Sequence, residues 1–312
     1  MEKRSLGRDG PAISVVGFGA WEAGGDQWGT RTEEESVRAM HAAIDAGIDW
    51  IDTAEAYGAG RSEELVARVL RERRGEVRVF TKVAHFVSGA RPEEVRKAIR
   101  GSLDRLGVER VDLYQIHWPA EDVVPVEETW GAMAEVVDEG LAAHIGVSNF
   151  KRDLIERCLT IRHVDSVQNR WSLLVQRDRD DLLPWLAERG IGYLGYAPLA
   201  FGLLTGAITA ETTFEATDWR SGVPGDVGYY DEYFAPGVIG PHLEKVERLR
   251  PIAERLEVPL ARLALRAAID VPGVTGVIAG STNDRHTRDN ALAGDLELDD
   301  ATRAEIDAIF RG

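Results

Sequence analysis

Four polar side chains stand at the ends of apolar runs that have the composition of β-strands. Asp52, Lys82 and His117 each close such a run, and Tyr57 follows Asp52 by five residues. In a parallel α/β barrel every strand ends at one mouth, where active sites are built. A carboxylate, an ammonium, an imidazole and a phenol that meet there would form a proton-transfer centre.

The chemistry of this set is coherent. A tyrosine hydroxyl has a pKa near 10 and is a poor acid at neutral pH. The Lys82 ammonium would lower the pKa of Tyr57 by favouring the phenolate, and Asp52 would keep Lys82 charged and oriented. With His117 donating a hydrogen bond, the set predicts that a C=O group is polarised and protonated. The alternative, a Schiff-base aldolase with Lys82 as nucleophile, needs a neutral lysine, which Asp52 opposes.

The rest of the chain alternates apolar runs with amphipathic segments, the pattern of a repeated βα unit. A hairpin is expected first, around the turn at Gly7–Gly10. Eight candidate strands follow: Val16–Ala20, Asp49–Asp52, Val77–Lys82, Val111–His117, Ala143–Ser148, Ser166–Gln168, Tyr193–Tyr196 and Val274–Ile278. Candidate helices between them include Glu33–Ala46, Ser62–Arg73, Glu93–Leu106, Pro125–Glu139, Asp153–Ile161 and Asp178–Arg189. This order predicts one closed (β/α)8 barrel, a single domain over residues 1–312.

A long segment at residues 200–240, after the seventh strand, interrupts this rhythm. It is rich in Gly and Pro and carries a run of aromatic side chains, at Phe201, Phe214, Trp219, Tyr229, Tyr230, Tyr233 and Phe234. A loop of this length in a compact domain is usually a lid or a binding loop, which is what we expect here. The alternative is a flexible insertion with surface aromatics.

The composition of the chain limits the kinds of molecule that it is expected to bind. The 312 residues carry a formal net charge of −16 and the sequence pI is about 5.0, which disfavours nucleic acid and anionic membranes. The single Cys158 excludes an intrachain disulfide. No signal-peptide core and no membrane-spanning run occur, so we expect a cytoplasmic protein that acts on a small molecule.

The sequence contains neither a dinucleotide-binding fingerprint nor a set of histidines with metal-ligand spacing. The glycines at 17 and 19 are followed by Glu22, where a dinucleotide fingerprint requires a third glycine, so a Rossmann fold is rejected. The seven histidines show no metal-ligand spacing, and no metal is expected.

Several blocks of the chain resemble the aldo-keto reductase family. They are Asp52–Gly58 with Ser62-Glu63, Thr81-Lys82, Asp112–His117, Gly146–Phe150, Val167–Asn169 and Gly195–Gly206, in the family's order and spacing. The resemblance implies an NADPH-dependent carbonyl reductase on a TIM barrel. It makes Tyr57 the general acid, with Lys82 and Asp52 tuning it and His117 orienting the substrate.

The resemblance also implies a cofactor site. Ser148, Asn149 and Gln168 would hydrogen-bond the nicotinamide carboxamide, and Tyr196 would stack on the ring. The remaining cofactor contacts would come from Gly17, Trp21, Asp52, Pro198, Leu199, Gly202, Leu203, Gly280, Ser281, Thr282, His286 and Asn290. Substrate would contact Trp21, Tyr57, Phe86, His117 and Trp118, with Trp28 and the loop aromatics as further walls.

One departure from the family bears on the cofactor. Thr282 stands where the family has a cation for the 2′-phosphate of NADPH, and His286 takes the place of the second contact. A phosphate of this charge favours bidentate Arg or a nearby Lys. Arg285 or Arg288 could substitute, or both could be ordinary exposed helix residues. We therefore expect NADPH, with NADH open.

An NAD-dependent aldose 1-dehydrogenase and a cofactor-bound regulatory subunit, similar to potassium-channel beta subunits, are the alternative functions. The oligomeric state is left open.

Overall fold

A short hairpin opens the chain in the computed structural model, which describes residues 1–25, 28, 32–222 and 228–311. Strand β1 (Lys3–Ser5) pairs antiparallel with β2 (Ala12–Ser14), with Arg4 opposite Ile13. Leu6 and Ile13 are buried against the base of the barrel. The predicted hairpin is therefore confirmed, and it closes the end of the barrel opposite the polar strand ends.

Eight parallel strands form a closed barrel, as the sequence predicts. They are β3 (Val16–Gly19), β4 (Trp50–Asp52), β5 (Arg78–Val83), β6 (Val111–Ile116), β7 (Ala142–Ser148), β8 (Ser166–Arg170), β9 (Gly192–Tyr196) and β10 (Gly276–Ala279). Each strand pairs with the next along the chain, and β10 closes the ring by pairing with both β9 and β3. All carboxyl ends consequently open at the same mouth.

Two layers of side chains fill the barrel because strand residues alternate between its inside and its outside. The lower layer is apolar and contains Leu6, Ile13, Trp50, Phe80, Leu113, Leu194 and Ile278, with the Trp50 and Phe80 rings 4.9 Å apart. Two residues further along the same strands come Asp52, Lys82, Gln115 and Tyr196. The polar groups therefore stand directly on an apolar floor.

The outer layer is helical. Its helices are α1 (Glu33–Asp45), α2 (Arg61–Glu72), α3 (His85–Ser88), α4 (Pro92–Leu106), α5 (Val126–Asp138), α6 (Arg152–Leu159), α7 (Leu182–Glu188), α8 (Tyr230–Tyr233), α9 (Ile239–Arg255), α10 (Leu260–Ile269), α11 (Asp284–Ala291) and α12 (Asp300–Phe310). Local signals set their ends. Thr32 and Glu35 form a capping box at α1, and Pro92 opens α4, which Gly107 ends with a φ of 66°.

Helix α7 begins four residues later than its pattern predicts. The carboxylate of Asp178 accepts hydrogen bonds from Asn169 Nδ2 at 2.9 Å and from the Tyr193 hydroxyl at 2.8 Å. These tertiary contacts hold the residues before Leu182 against the strands in turns instead of a helix.

The described part of the long segment after β9 is folded. It contains 3-10 turns at Ala200–Thr205 and Trp219–Ser221 and then α8, and residues 223–227 lie outside the described part. Its aromatic residues pack on one another: the Phe201 ring lies 4.8 Å from Trp219 and 5.0 Å from Tyr229. In the described residues no helix is both long and apolar enough to cross a membrane.

Candidate active site

Lys82 and Asp52 form a buried ion pair at the ends of β5 and β4. Lys82 Nζ also donates to the carbonyl oxygen of Thr53 at 2.9 Å and to the Tyr57 hydroxyl oxygen at 3.4 Å. Burial lowers the pKa of the Lys82 ammonium, while Asp52 and the nearby Glu63 act in the opposite direction. One ammonium is thus held between the carboxylate and the phenol.

Tyr57 begins a 3-10 turn (Tyr57–Gly60) that follows β4. The turn requires glycine at position 58, where φ is 59° and a Cβ would collide with the carbonyl oxygen of Gly24. The Tyr57 ring lies 5.5 Å from the His117 ring in an edge-on geometry and 6.2 Å from Trp21, nearly parallel to it.

The Tyr57 hydroxyl does not have the lowered pKa that the sequence led us to expect. Burial of this group raises the pKa of Tyr57 well above its ordinary value, and the negative charge of Asp52 raises it further. The Lys82 ammonium, which is paired with Asp52, does not reverse this direction. Tyr57 is therefore a neutral hydroxyl that keeps its proton at physiological pH.

His117 is a neutral imidazole. Its backbone N–H donates to the Val83 carbonyl at 2.9 Å, which fixes it at the strand end. Burial lowers the pKa of His117 well below 6.5, and the charges of Lys82 and His85 lower it further. Its Nδ1 has no hydrogen-bond partner among the residues that the structure describes. The ring can accordingly donate one hydrogen bond without carrying a charge.

Asn149 is locked by its neighbours in a left-handed conformation with φ 63°. Its Nδ2 donates to the His117 carbonyl at 2.9 Å and to Ser148 Oγ at 3.1 Å, and its Oδ1 accepts from the Tyr196 hydroxyl at 2.8 Å. Both amide hydrogens are used, so Asn149 can act toward a ligand only as an acceptor. Ser148 Oγ accepts one of them, which leaves its own hydroxyl hydrogen for a ligand.

Gln168 is oriented in the same way. Its Nε2 donates to Asp52 Oδ2 at 2.8 Å and to Gln115 Oε1 at 3.4 Å. A carboxylate paired with an ammonium is an acceptor only, so Nε2 must be the atom that faces Asp52. Oε1 of Gln168 therefore remains as a second acceptor.

A cavity of about 1200 Å³ extends from these groups to the amino end of α11. Most residues predicted for the site line it: Trp21, Asp52, Tyr57, Phe86, His117, Trp118, Ser148, Asn149, Gln168, Tyr196, Pro198, Leu199, Gly202, Gly280, Ser281, Thr282, His286 and Asn290. Trp28 lines it as well. The catalytic and cofactor groups proposed from the sequence thus share one cavity.

Three predicted residues are set back from the cavity wall. Lys82 lies behind Asp52 and Tyr57. Gly17 faces the apolar layer, where a Cβ would collide with the Trp50 ring, and Gly19 lines the cavity in its place. Leu203 is fully buried in the aromatic and aliphatic cluster beneath the loop. Gly17 and Leu203 therefore do not line this cavity, and their cofactor contacts stay predictions.

Other lining residues were not predicted. They include Ala197, Thr205 and Arg220, whereas Tyr229 is one of the loop aromatics that were expected as further walls. Gly19 was not predicted either, because its pairing with Asp52 becomes visible only in the folded barrel. Nothing in the sequence distinguishes Tyr229 from the other loop aromatics.

The far end of the cavity is the amino terminus of α11. The Asn283 side chain caps this helix by accepting from the backbone N–H groups of Arg285 at 3.0 Å and His286 at 3.1 Å. Arg285 is exposed and lines the cavity, whereas Arg288 is exposed and does not. Thr282 supplies no charge, so Arg285 is the α11 cation at this end of the cavity.

The model of the aldo/keto reductase family matches residues 15–311. The aldo-keto reductase YhdN of Bacillus subtilis is 34% identical over 290 residues, which span 90% of this chain and 85% of that protein.

Solved structures of similar proteins superpose on nearly the whole chain. A glycerol dehydrogenase from Gluconobacter oxydans superposes with a TM-score of 0.85 at 29% identity, covering 98% of this chain and 94% of the other. An aldo/keto reductase from Klebsiella pneumoniae, solved in complex with NADP and acetate, superposes with a TM-score of 0.77 at 26% identity, covering 99% and 96% of the two chains.

Proposed function

Because the chain belongs to the aldo/keto reductase family, we propose that it reduces aldehydes or ketones to alcohols with Tyr57 as the general acid. The protein is an NAD(P)H-dependent oxidoreductase that acts on carbonyl compounds.

One observation carries the proposal: the free hydrogen-bonding groups beside Tyr57 complement a nicotinamide carboxamide. A primary amide has two N–H donors and one carbonyl acceptor. Among the described groups beside Tyr57, the Ser148 hydroxyl is an available donor and Gln168 Oε1 an available acceptor, and Asn149 Oδ1, which already accepts from Tyr196, has a second lone pair for a ligand. These residues would therefore hold the carboxamide in a single orientation, with the ring at the level of Tyr57 and Tyr196.

Tyr57 and His117 act on the substrate oxygen. A bound reduced nicotinamide supplies the hydride that the carbonyl carbon accepts. As negative charge develops on the carbonyl oxygen, Tyr57 transfers its proton to that oxygen and the neutral His117 donates a hydrogen bond to it. The raised pKa of Tyr57 keeps this proton in place until the oxygen becomes basic.

Lys82 and Asp52 act on Tyr57. The phenolate left after proton transfer lies 3.4 Å from the Lys82 ammonium, which stabilises it. Asp52 keeps Lys82 charged and oriented, and Tyr57 then recovers a proton from solvent. The reverse sequence oxidises an alcohol, with Tyr57 as the base.

NADPH is the cofactor that we propose, with Arg285 as the counter-charge for its 2′-phosphate. Arg285 lines the cavity at the amino end of α11, where its charge and the positive end of the helix dipole favour an anion. Since Thr282 contributes no charge, discrimination against NADH is expected to be modest. This weak selection keeps an NAD-dependent aldose 1-dehydrogenase as the second candidate.

Binding and turnover test the proposal in sequence. Trp21 and Trp28 line the cavity, so quenching of tryptophan fluorescence reports binding of NADPH and NADH. The tighter cofactor is then used against panels of aldehydes, ketones and aldoses. Reduction of carbonyls supports the main proposal, and oxidation of aldoses with NAD+ supports the second candidate. Binding without turnover on any panel overturns both.

A further inference from the structure

We propose that Arg170 is a positioning residue, which holds Tyr229 of the long loop against Tyr196 and so completes the nicotinamide end of the cofactor site. This inference rests on the proposed function of the same cavity. It concerns a residue that does not line the cavity and that the proton-transfer mechanism does not use.

Arg170 ends β8, two residues after Gln168, so its side chain leaves the strand on the same face. The side chain is only 12% exposed. Its Nη2 pairs with Glu232 of α8 at 2.7 Å. Its guanidinium lies 4.9 Å from the centre of the Tyr229 ring and 5.5 Å from that of Tyr233.

These distances are those of cation–π contacts, which are strongest where water is excluded. The Nη1 atom of Arg170 is buried and has no hydrogen-bond acceptor within the described parts of the chain. The aromatic faces therefore balance this side of the guanidinium. A lysine could keep the ion pair with Glu232, but it lacks the planar group that stacks on two rings.

Tyr229, whose ring Arg170 contacts, extends into the cavity. Its ring lines the cavity and stacks on Phe201, with centres 5.0 Å apart and planes 24° apart. The Tyr229 and Tyr196 hydroxyl oxygens are 3.1 Å apart. Since Tyr196 uses its one hydrogen to donate to Asn149 Oδ1, Tyr229 is the donor of this bond.

The chain of contacts ends on an atom with a proposed role. Asn149 Oδ1 is one of the two acceptors for the carboxamide. Arg170 thus fixes Tyr229, Tyr229 fixes the Tyr196 hydroxyl, and Tyr196 fixes the acceptor. Loss of Arg170 is expected to free the segment that carries Tyr229 and to weaken cofactor binding without changing the carbonyl pocket around Trp118.

Arg177 provides a matched control. It pairs with the other oxygen of Glu232 at 2.5 Å, but its side chain is 70% exposed. The Arg177→Gln variant removes the same charge from the same loop carboxylate and leaves the Arg170 contacts with the two rings in place.

The experiment compares Arg170→Gln, Arg177→Gln, Tyr229→Phe and the double variant Arg170→Gln/Tyr229→Phe in the full chain. Cofactor Kd is measured by fluorescence, and the carbonyl KM by steady-state kinetics. We expect Arg170→Gln to raise the cofactor Kd about tenfold, Tyr229→Phe to raise it severalfold, and Arg177→Gln to leave it within twofold. The carbonyl KM should stay within twofold in all of them. Because Arg170 acts through Tyr229, the double variant should bind about as weakly as Arg170→Gln alone.

Equal weakening by Arg170→Gln and Arg177→Gln, or additive effects in the double variant, would overturn the inference. If Arg170→Gln does not fold, Tyr229→Phe decides: an unchanged cofactor Kd rejects the role of the loop phenol. Failure of the wild-type chain to bind NADPH or NADH would instead reject the proposed function, so the two failures are distinguishable.

Discussion

The Lys82 ammonium lies 3.4 Å from the Tyr57 hydroxyl oxygen, and two further acceptors fix it there. The Thr53 carbonyl accepts from Lys82 at 2.9 Å, and the Asp52 carboxylate pairs with it. The ammonium therefore has little freedom to leave Tyr57. In the proposed reaction its charge becomes favourable only when Tyr57 loses its proton, which is the property of a group that stabilises a transition state.

Replacement of this ammonium should affect turnover more than binding. We expect Lys82→Met to lower kcat for carbonyl reduction by roughly 10²-fold to 10⁴-fold, the usual range for acid–base assistance. The Kd of the cofactor should change little. Steady-state kinetics and fluorescence titration measure the two quantities, and Lys97→Met on the exposed face of α4 is the control. A folded Lys82→Met enzyme with near-normal kcat would contradict the role of Lys82.

Ser148 offers the only hydroxyl donor assigned to the carboxamide, so its removal should weaken cofactor binding. We expect Ser148→Ala to raise the cofactor Kd roughly tenfold, which corresponds to the net loss of about one hydrogen bond. Ser166→Ala is a matched control, because Ser166 is equally buried on the next strand and does not line the cavity. Equal effects of the two substitutions on Kd would argue against a specific contact.

The two exposed arginines of α11 separate the phosphate contact from general charge. Arg285 lines the cavity and Arg288 does not. Arg285→Ala should raise KM for NADPH severalfold and leave KM for NADH nearly unchanged, whereas Arg288→Ala should change neither. KM values for both cofactors with one carbonyl substrate provide the test. A parallel rise of both KM values in Arg285→Ala would show that the 2′-phosphate is held elsewhere.

The lowered pKa of His117 should make the stability of the protein depend on pH. Since its folded-state pKa is held well below 6.5, the unfolded chain binds a proton at this side chain below about pH 6.5 that the folded chain does not bind. The free energy of unfolding should therefore fall as pH decreases below 6.5, by up to about 1.4 kcal/mol per pH unit from this group. Above that pH the group contributes no slope.

Urea unfolding at pH 7.5, 6.5 and 5.5 measures this effect against His117→Gln, which cannot titrate. The wild-type chain should lose more stability than the variant between pH 6.5 and 5.5. Parallel curves across that interval would show that His117 titrates normally in the folded protein.

The barrel could be predicted from the sequence because the features that mark its strands and helices are local. Each strand is an apolar run of ordinary length, and most candidate helices carry a cap or a terminal glycine. The period of two even explains why Asp52 stands above Trp50 and Lys82 above Phe80. Gly17 was expected at the cofactor, whereas Gly19 lines the cavity. Register between strands is a tertiary property, and only the strand pairing shows that Gly19 lies beside Asp52.

The direction of the Tyr57 pKa shift and the contacts of Tyr229 in the long loop could not be predicted from the sequence. The direction of the Tyr57 pKa shift depends on how deeply the hydroxyl is buried and on how completely Asp52 neutralises Lys82, and neither follows from residue type. Tyr229 is one aromatic among seven in residues 200–240. Its importance depends on Arg170, 59 positions away in the sequence and in contact only after folding.

The most direct test of the account is the rate of hydride transfer by Tyr57→Phe, measured in a single turnover with the cofactor already bound. This substitution removes the hydroxyl proposed to protonate the substrate and keeps the aromatic ring between Trp21 and His117. We predict a loss of roughly 10²-fold to 10⁴-fold in the rate of carbonyl reduction, with the cofactor Kd within about threefold of wild type. A Tyr57→Phe enzyme that binds the cofactor and reduces carbonyls at close to the wild-type rate would contradict the assignment of Tyr57 as the general acid.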